Sequence, residues 1–319
     1  QYKTAAICHG TGLRQVKKNS LERDYILAHI KELDMVFCLH REQREEISRI
    51  YGVPGERLEV IGSGFDDSIF RYMPVQKENG VKRLIYAGKL SEKKGVMSLL
   101  RSLTYLEQLQ RKDGEQQGQG IGQPAAPMKI EVWLAGGYGN QLEYETIKKL
   151  ADQSPYPVKF LGRLDQPQLA ERMNQADVFV LPSFYEGLPL VVIEALACGL
   201  QVVCTDLPGV RPWLEENIGT CAVKFVPLPA IVNADEPVEQ ELPQFERRLA
   251  EAIAESLGAD GSRQGVDSSR QGPDSRPPET PGGESLAAAG PSIASPLPDL
   301  SRISWTGISK KILESCNLI

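Results

Sequence analysis

Short apolar runs alternate along this chain with stretches whose apolar positions recur at helical spacing. The first runs are TAAIC (4–8), MVFCL (35–39) and LEVIG (58–62), divided by helix-patterned segments near 21–33 and 41–50. Strand-length runs separated by helical periods predict βαβαβ and a parallel sheet. A second series opens with RLIYAG (83–88), followed by a helix marked by Val96, Leu99, Leu100, Leu103 and Leu106. It continues through KIEVWLAGG (129–137), VKFLG (158–162), VFVLP (178–182), QVVCT (201–205) and AVKFV (222–226), with helices near 141–152, 166–175 and 188–198. Six strands make residues 81–257 a complete doubly wound domain.

Residues 1–80 carry only three strands, too few for an α/β sheet covered on both faces. They are expected to be the C-terminal part of a Rossmann-like domain whose opening strands are missing. Two stretches break the alternation. Residues 110–127 are rich in Gln and Gly, and residues 258–300 draw nearly half their length from Gly, Pro and Ser without one aromatic. The first is expected to be a flexible loop and the second a disordered insertion. Within 301–319, Trp305, Ile308 and Ile312 keep helical spacing, which predicts a C-terminal helix docked by that stripe on one of the domains.

A length of 319 residues suits two domains, and no apolar run approaches the ~20 residues that span a bilayer. The net charge of −6, from 36 basic and 42 acidic residues, supplies no global field for a nucleic-acid backbone. It permits loose peripheral association with a membrane. The six cysteines lie mostly in apolar runs without C-x-x-C spacing, as reduced core residues do, and so point to the cytoplasm. Three histidines and the lack of any D-x-D pair leave no metal site and no resident cofactor to expect.

The chemistry gathers where strands end. VFVLP runs into SFYEGLPLVVIEALACGL, with Glu186 before a helix start and Glu194 eight positions later. Pro189 suits a first helical turn, and the free N–H groups of Gly187, Leu188 and Leu190 would form an anion site there. Eight helical positions span ~12 Å, so the two carboxylates could grip separate hydroxyl-bearing parts of one extended ligand. The turn YAGKLSEKKGV offers Lys89, Lys93 and Lys94 beside Gly88 and Gly95, enough charge to neutralise a diphosphate. LAGGYGN (134–140) is a poor dinucleotide signature: Gly136, Gly137 and Gly139 do not spell G-x-G-x-x-G, and no acidic residue closes the next strand. His9 follows the first strand and faces an interdomain crevice.

Taken in order, GKLSEKKG, LAGGYGN, FLGRL, ADVFVLPSFYEGLPLVVIEALACGLQVV and SWTGISKKILE resemble the nucleotide-binding half of the family-four retaining glycosyltransferases, with their E-x7-E element. The resemblance implies the α/β GT-B fold, two Rossmann-like doubly wound domains facing a cleft, the first incomplete here. It implies metal-independent transfer of a sugar from a nucleoside diphosphate sugar, a UDP- or GDP-sugar, to a carbohydrate or lipid-linked acceptor with retention. By position, Glu186 would hold donor-sugar hydroxyls, Glu194 the ribose, and the Gly187 and Leu188 amides the diphosphate, beside Pro189. Lys94 matches the phosphate-binding lysine, and Lys89 stands where the family more often carries arginine. Arg163, after Gly162, matches a position whose backbone meets the base, and His9 a histidine near the reacting sugar; Gly88 and Gly136 complete the donor site. Two other readings remain open: a non-catalytic sugar-nucleotide binder of the same fold, and a nicotinamide-dependent oxidoreductase.

Overall fold

The structure, a computed structural model, describes residues 3–9, 13, 19–77, 80–117, 128–219, 222–233, 235–258 and 300–316. Its first body is a three-stranded parallel sheet of β1 (Ala5–Ile7), β2 (Met35–Cys38) and β3 (Leu58–Val60), in that spatial order. The helices α1 (Ser20–His29) and α2 (Arg41–Tyr51) make the crossovers. Along β2 the side chains alternate as a pleated strand requires. Val36 and Cys38 pack with Ile47 and Tyr51 of α2, whereas Phe37 points to the other face. β1 is an edge strand exposed along its length.

The second body contains β4 (Val81–Ala87), α3 (Val96–Gln117), β5 (Lys129–Ala135), α4 (Gln141–Asp152), β6 (Val158–Gly162) and α5 (Gln166–Gln175). It continues through β7 (Val178–Leu181), α6 (Leu190–Ala197), β8 (Gln201–Asp206), α7 (Val210–Asn217) and β9 (Val223–Pro227). A hairpin of β10 (Ile231–Val232) and β11 (Glu236–Pro237) precedes α8 (Leu242–Gly258). The six strands β4 to β9 are all parallel, in the spatial order β6-β5-β4-β7-β8-β9. This order reverses direction between β4 and β7. Such a switch point opens a crevice at the carboxyl ends of the strands, where ligands bind in doubly wound sheets.

Two segments tie the bodies together. Along 71–77, the Met73 N–H donates to Asn174 at 2.7 Å and Lys77 pairs with Asp177 at 2.9 Å. The chain then returns after α8 to form α9 (Trp305–Ser315), which packs on the first body: Ile308 is buried with Phe37 and Ile61. α9 thus covers the back of the first sheet.

Some sequence expectations shift. The loop placed at 110–127 begins later, because α3 continues as helix through Gln117; the remainder, 118–127, lies outside the described residues, as does 259–299 of the predicted insertion. The helix placed at 188–198 starts at Leu190, with Pro189 as its N-cap rather than in its first turn. Of the predicted docking stripe, Ile308 is buried, Ile312 half-buried and Trp305 49% exposed. Of the six cysteines, Cys38, Cys198 and Cys204 are buried and Cys8 and Cys316 half-buried, all five as free thiols; Cys221 lies outside the described residues. Burial pushes the Cys204 thiol up to about 12.

Candidate functional site

The loops that leave β4, β5 and β6 are stitched edge to edge by backbone hydrogen bonds. The Gly88 N–H donates to the Ala135 carbonyl at 2.9 Å, Leu90 to Gly137 at 2.8 Å, and Gly136 to Gly162 at 2.7 Å. This close approach explains the glycines. Gly136 has φ +148°, and a Cβ there would fall 1.7 Å from the Gly88 carbonyl oxygen. Below them the buried Tyr86 hydroxyl donates to the Lys89 carbonyl at 2.8 Å and holds the turn that carries Lys89. Burial, helped by the charge of Glu186, pushes that phenol well above its ordinary range, so it stays a protonated donor.

From this turn the chain enters a 3-10 turn, Glu92–Lys94, that ends at Gly95 with φ +69°. A Cβ on Gly95 would lie 1.9 Å from the Pro182 carbonyl oxygen, so the end of β7 and this turn touch backbone to backbone. The Phe184 N–H donates to the Lys93 carbonyl at 3.1 Å and locks the two loops together. An ion pair reinforces the lock, Lys94 Nζ to Glu186 Oε1 at 2.7 Å, and a second, Lys93 Nζ to Asp235 Oδ2 at 2.9 Å, ties the turn to the β10–β11 hairpin. Asp235, in the turn between β10 and β11, is fully buried.

Glu186 therefore sits in a loop four residues before α6, and the spacing of the two glutamates is not set by helical rise alone. Glu194 lies inside α6 and is only 8% exposed. Burial raises its carboxyl to about 7. A carboxyl so placed needs hydrogen-bond donors or a nearby cation to settle as a carboxylate.

These loops surround a cavity of about 700 Å³ at the switch point. Its lining includes Gly88, Lys89, Lys94, Gly136, Arg163, Glu186, Leu188, Pro189 and Glu194 from the second body, and His9 from the first. Gly162 lies outside this lining, behind Gly136, to which its carbonyl is bonded. Gly187 lines a neighbouring cavity of about 350 Å³ instead, reached from the other side of Glu186. That cavity also holds His40, Gln43 and Glu46 of the first body and Leu228 and Ile231 near the β10–β11 hairpin. Glu186 borders both spaces. The arrangement brings the cations Lys89, Lys94 and Arg163 and the carboxyls Glu186 and Glu194 to the wall of one cavity, a set that suits an anion that also carries hydroxyls.

Sequence reasoning missed four of these participants. Tyr86 is hidden in an apolar strand, and His40 N-caps α2 by accepting from the Gln43 N–H at 3.2 Å. Trp305, which lines the switch-point cavity, and Asp235, which holds Lys93 behind it, are placed only by tertiary folding, although the half-apolar, half-polar run at 228–238 could have flagged the hairpin.

Residues 71–225 match the family described as Glycosyl transferases group 1. This stretch is a group 1 glycosyl transferase domain. The chain is 25% identical over 180 residues to glycogen synthase of Mycobacterium tuberculosis, covering 56% of this chain and 39% of the relative. It is 25% identical over 232 residues to the amylovoran biosynthesis glycosyltransferase AmsK of Erwinia amylovora, covering 68% and 50%. The chain thus spans half or less of these relatives' lengths. Among solved structures, Alr3699/HepE of Anabaena in complex with UDP-glucose superposes with a TM-score of 0.56 at 16% identity, over 99% of this chain and 72% of that one. The fold of this chain is the α/β GT-B fold.

Proposed function

We propose that this chain forms the donor-binding part of a retaining glycosyltransferase, which moves a sugar from a nucleoside diphosphate sugar to a carbohydrate or lipid-linked acceptor. The observation that carries the reading is the Lys94–Glu186 contact at the mouth of the switch-point cavity, with the buried Glu194 beside it. A ribose hydroxyl pair gives Glu194 the donors its burial calls for. Lys89, Lys94 and the Leu188 amide balance the charge of a diphosphate, and that balance matters most as the sugar departs, because preorganised charge acts on the transition state. Glu186 holds the sugar hydroxyls while it orients Lys94. His9 approaches the reacting sugar from the first body, and the backbone at Gly162 and Arg163 meets the base. The UDP-glucose bound to the Anabaena protein favours UDP over GDP as the base-bearing half of the donor.

Charge neutralisation by side chains and amides makes the donor site independent of metal. Calorimetric titration with UDP, GDP and ADP, with and without a sugar, tests the reading. Micromolar to millimolar binding of one nucleotide, unchanged in excess EDTA, supports it; silence toward all three, or binding only with magnesium or manganese, overturns it. Sugar transfer to a panel of acceptors then separates an enzyme from a non-catalytic binder.

A further inference from the structure

Trp305 is the first residue of α9 and is held open to the cavity. The other two tryptophans are core residues, Trp133 at 6% and Trp213 at 5% exposure, whereas Trp305 is 49% exposed. Its position is fixed from three sides. Its backbone N–H donates to the Phe65 carbonyl at 2.9 Å, and Ser304 before it bridges to Phe65 and caps the helix by accepting from Gly307 at 3.3 Å. One turn later the buried Ile308 pins the helix to Phe37 and Ile61. The indole itself lies on Gly64, where a Cβ would stand 2.7 Å from Cε3. The ring cannot sink inward because backbone occupies that space. Its free face forms part of the wall of the 700 Å³ cavity, among the first-body residues His9 and Ser63, in the same enclosure as Lys94, Glu186 and Glu194.

Holding a large indole rigidly exposed on the wall of an open crevice sacrifices burial, and a rigid aromatic costs little entropy when a second ring covers it. From this geometry we infer that Trp305 is a donor-contact residue that packs against a ring of the nucleoside diphosphate sugar. The inference rests on the donor-site reading above. It gives α9 a second role besides covering the first sheet: it brings an aromatic surface from the end of the chain to the donor.

The test reads tryptophan fluorescence in the full chain. Because Trp133 and Trp213 are buried, acrylamide quenches mainly Trp305, and Trp305→Phe should remove that quenchable component while leaving the thermal midpoint unchanged. Calorimetry on the same samples reports whether UDP and UDP-glucose bind. The expected result is that saturating UDP-glucose at least halves the quenching constant, and that Trp305→Ala weakens its binding about tenfold, on the scale of ring stacking on an aromatic side chain, with Trp305→Phe restoring most of it. Protection by UDP alone assigns the contact to the nucleoside; protection only by UDP-glucose assigns it to the sugar. Calorimetric binding with unchanged quenching in the unaltered chain overturns the inference and leaves the donor site standing. Absence of any binding overturns both. The quenching arm needs no substitution, so it decides the question even if Trp305→Ala fails to fold.

Discussion

Lys94 and Glu186 are contributed by the loops after β4 and β7, the two strands on either side of the switch point, and they meet at 2.7 Å. The ammonium is thus already held by a carboxylate, part-buried and preorganised, where a diphosphate would share it.

That relationship predicts separable losses in a catalytically competent full-length form. Lys94→Ala should lower kcat ~10²–10³-fold, as loss of a transition-state charge stabiliser does. Nucleotide affinity should fall less. Glu186→Ala should weaken binding of the sugar nucleotide more than that of the free nucleoside diphosphate, since its proposed ligand partners are sugar hydroxyls while its loss also frees Lys94. Titration with both ligands checks this, and equal losses for both would remove Glu186 from the sugar end.

Glu194 predicts opposite pH trends for folding and binding. The folded carboxyl keeps its proton up to about 7, against an ordinary value of 4.5. Between those values the folded state binds more protons than the unfolded state, so stability is greatest at the acid end and falls as pH rises toward 7. Nucleotide affinity should rise over the same interval, because an ionised carboxylate accepts hydroxyl hydrogen bonds more strongly. Urea midpoints and titrations across this range measure both trends, and Glu194→Gln should flatten each.

Gly95 is a backbone prediction. Its φ of +69° and the 1.9 Å between an added Cβ and the Pro182 carbonyl leave no accommodation for a side chain. Gly95→Ala should cost ~2 kcal/mol or more, from strain plus displacement of the turn carrying Lys94. A thermal midpoint close to that of the unaltered protein would contradict it.

The Lys93–Asp235 pair ties the same turn to the β10–β11 hairpin. Removing one partner leaves a fully buried carboxylate without this counter-charge, but Lys93 keeps 46% exposure of its side chain. The cost of Lys93→Ala is therefore set below that of a wholly buried pair, at ~1–3 kcal/mol. Asp235→Asn should cost less, because a neutral amide tolerates burial better. Denaturant midpoints rank the two variants.

The parallel strands were legible because each apolar run is short and bounded, and because buried parallel strands need no polar alternation to reveal themselves. The loops at their carboxyl ends follow from that reading, and eleven of the residues singled out from the sequence line the switch-point cavity. The start of α6 was misplaced because Pro189 suits both an N-cap and a first turn, and only the backbone dihedrals, φ −75° and ψ 100°, distinguish them. Residues 110–117 looked loop-like because Gln and Gly carry no apolar stripe, yet they extend a helix whose earlier turns are packed. Trp305 shares the periodicity of Ile308, but spacing cannot show that Gly64 blocks the inward position. The Lys93–Asp235 contact joins residues far apart in sequence, and no local pattern encodes it.

The back of the first sheet has its own timetable. Phe37 and Ile61 leave the ribosome before the second body, but Ile308, which covers them, leaves only after it. Chains leave at roughly 5–20 residues per second, so this apolar face waits many seconds for its cover while the second body assembles. The first of the two bodies is completed only after the second has been made. A nascent chain of this protein therefore offers chaperones a defined sticky surface, and slower translation of the intervening segment should lengthen their engagement.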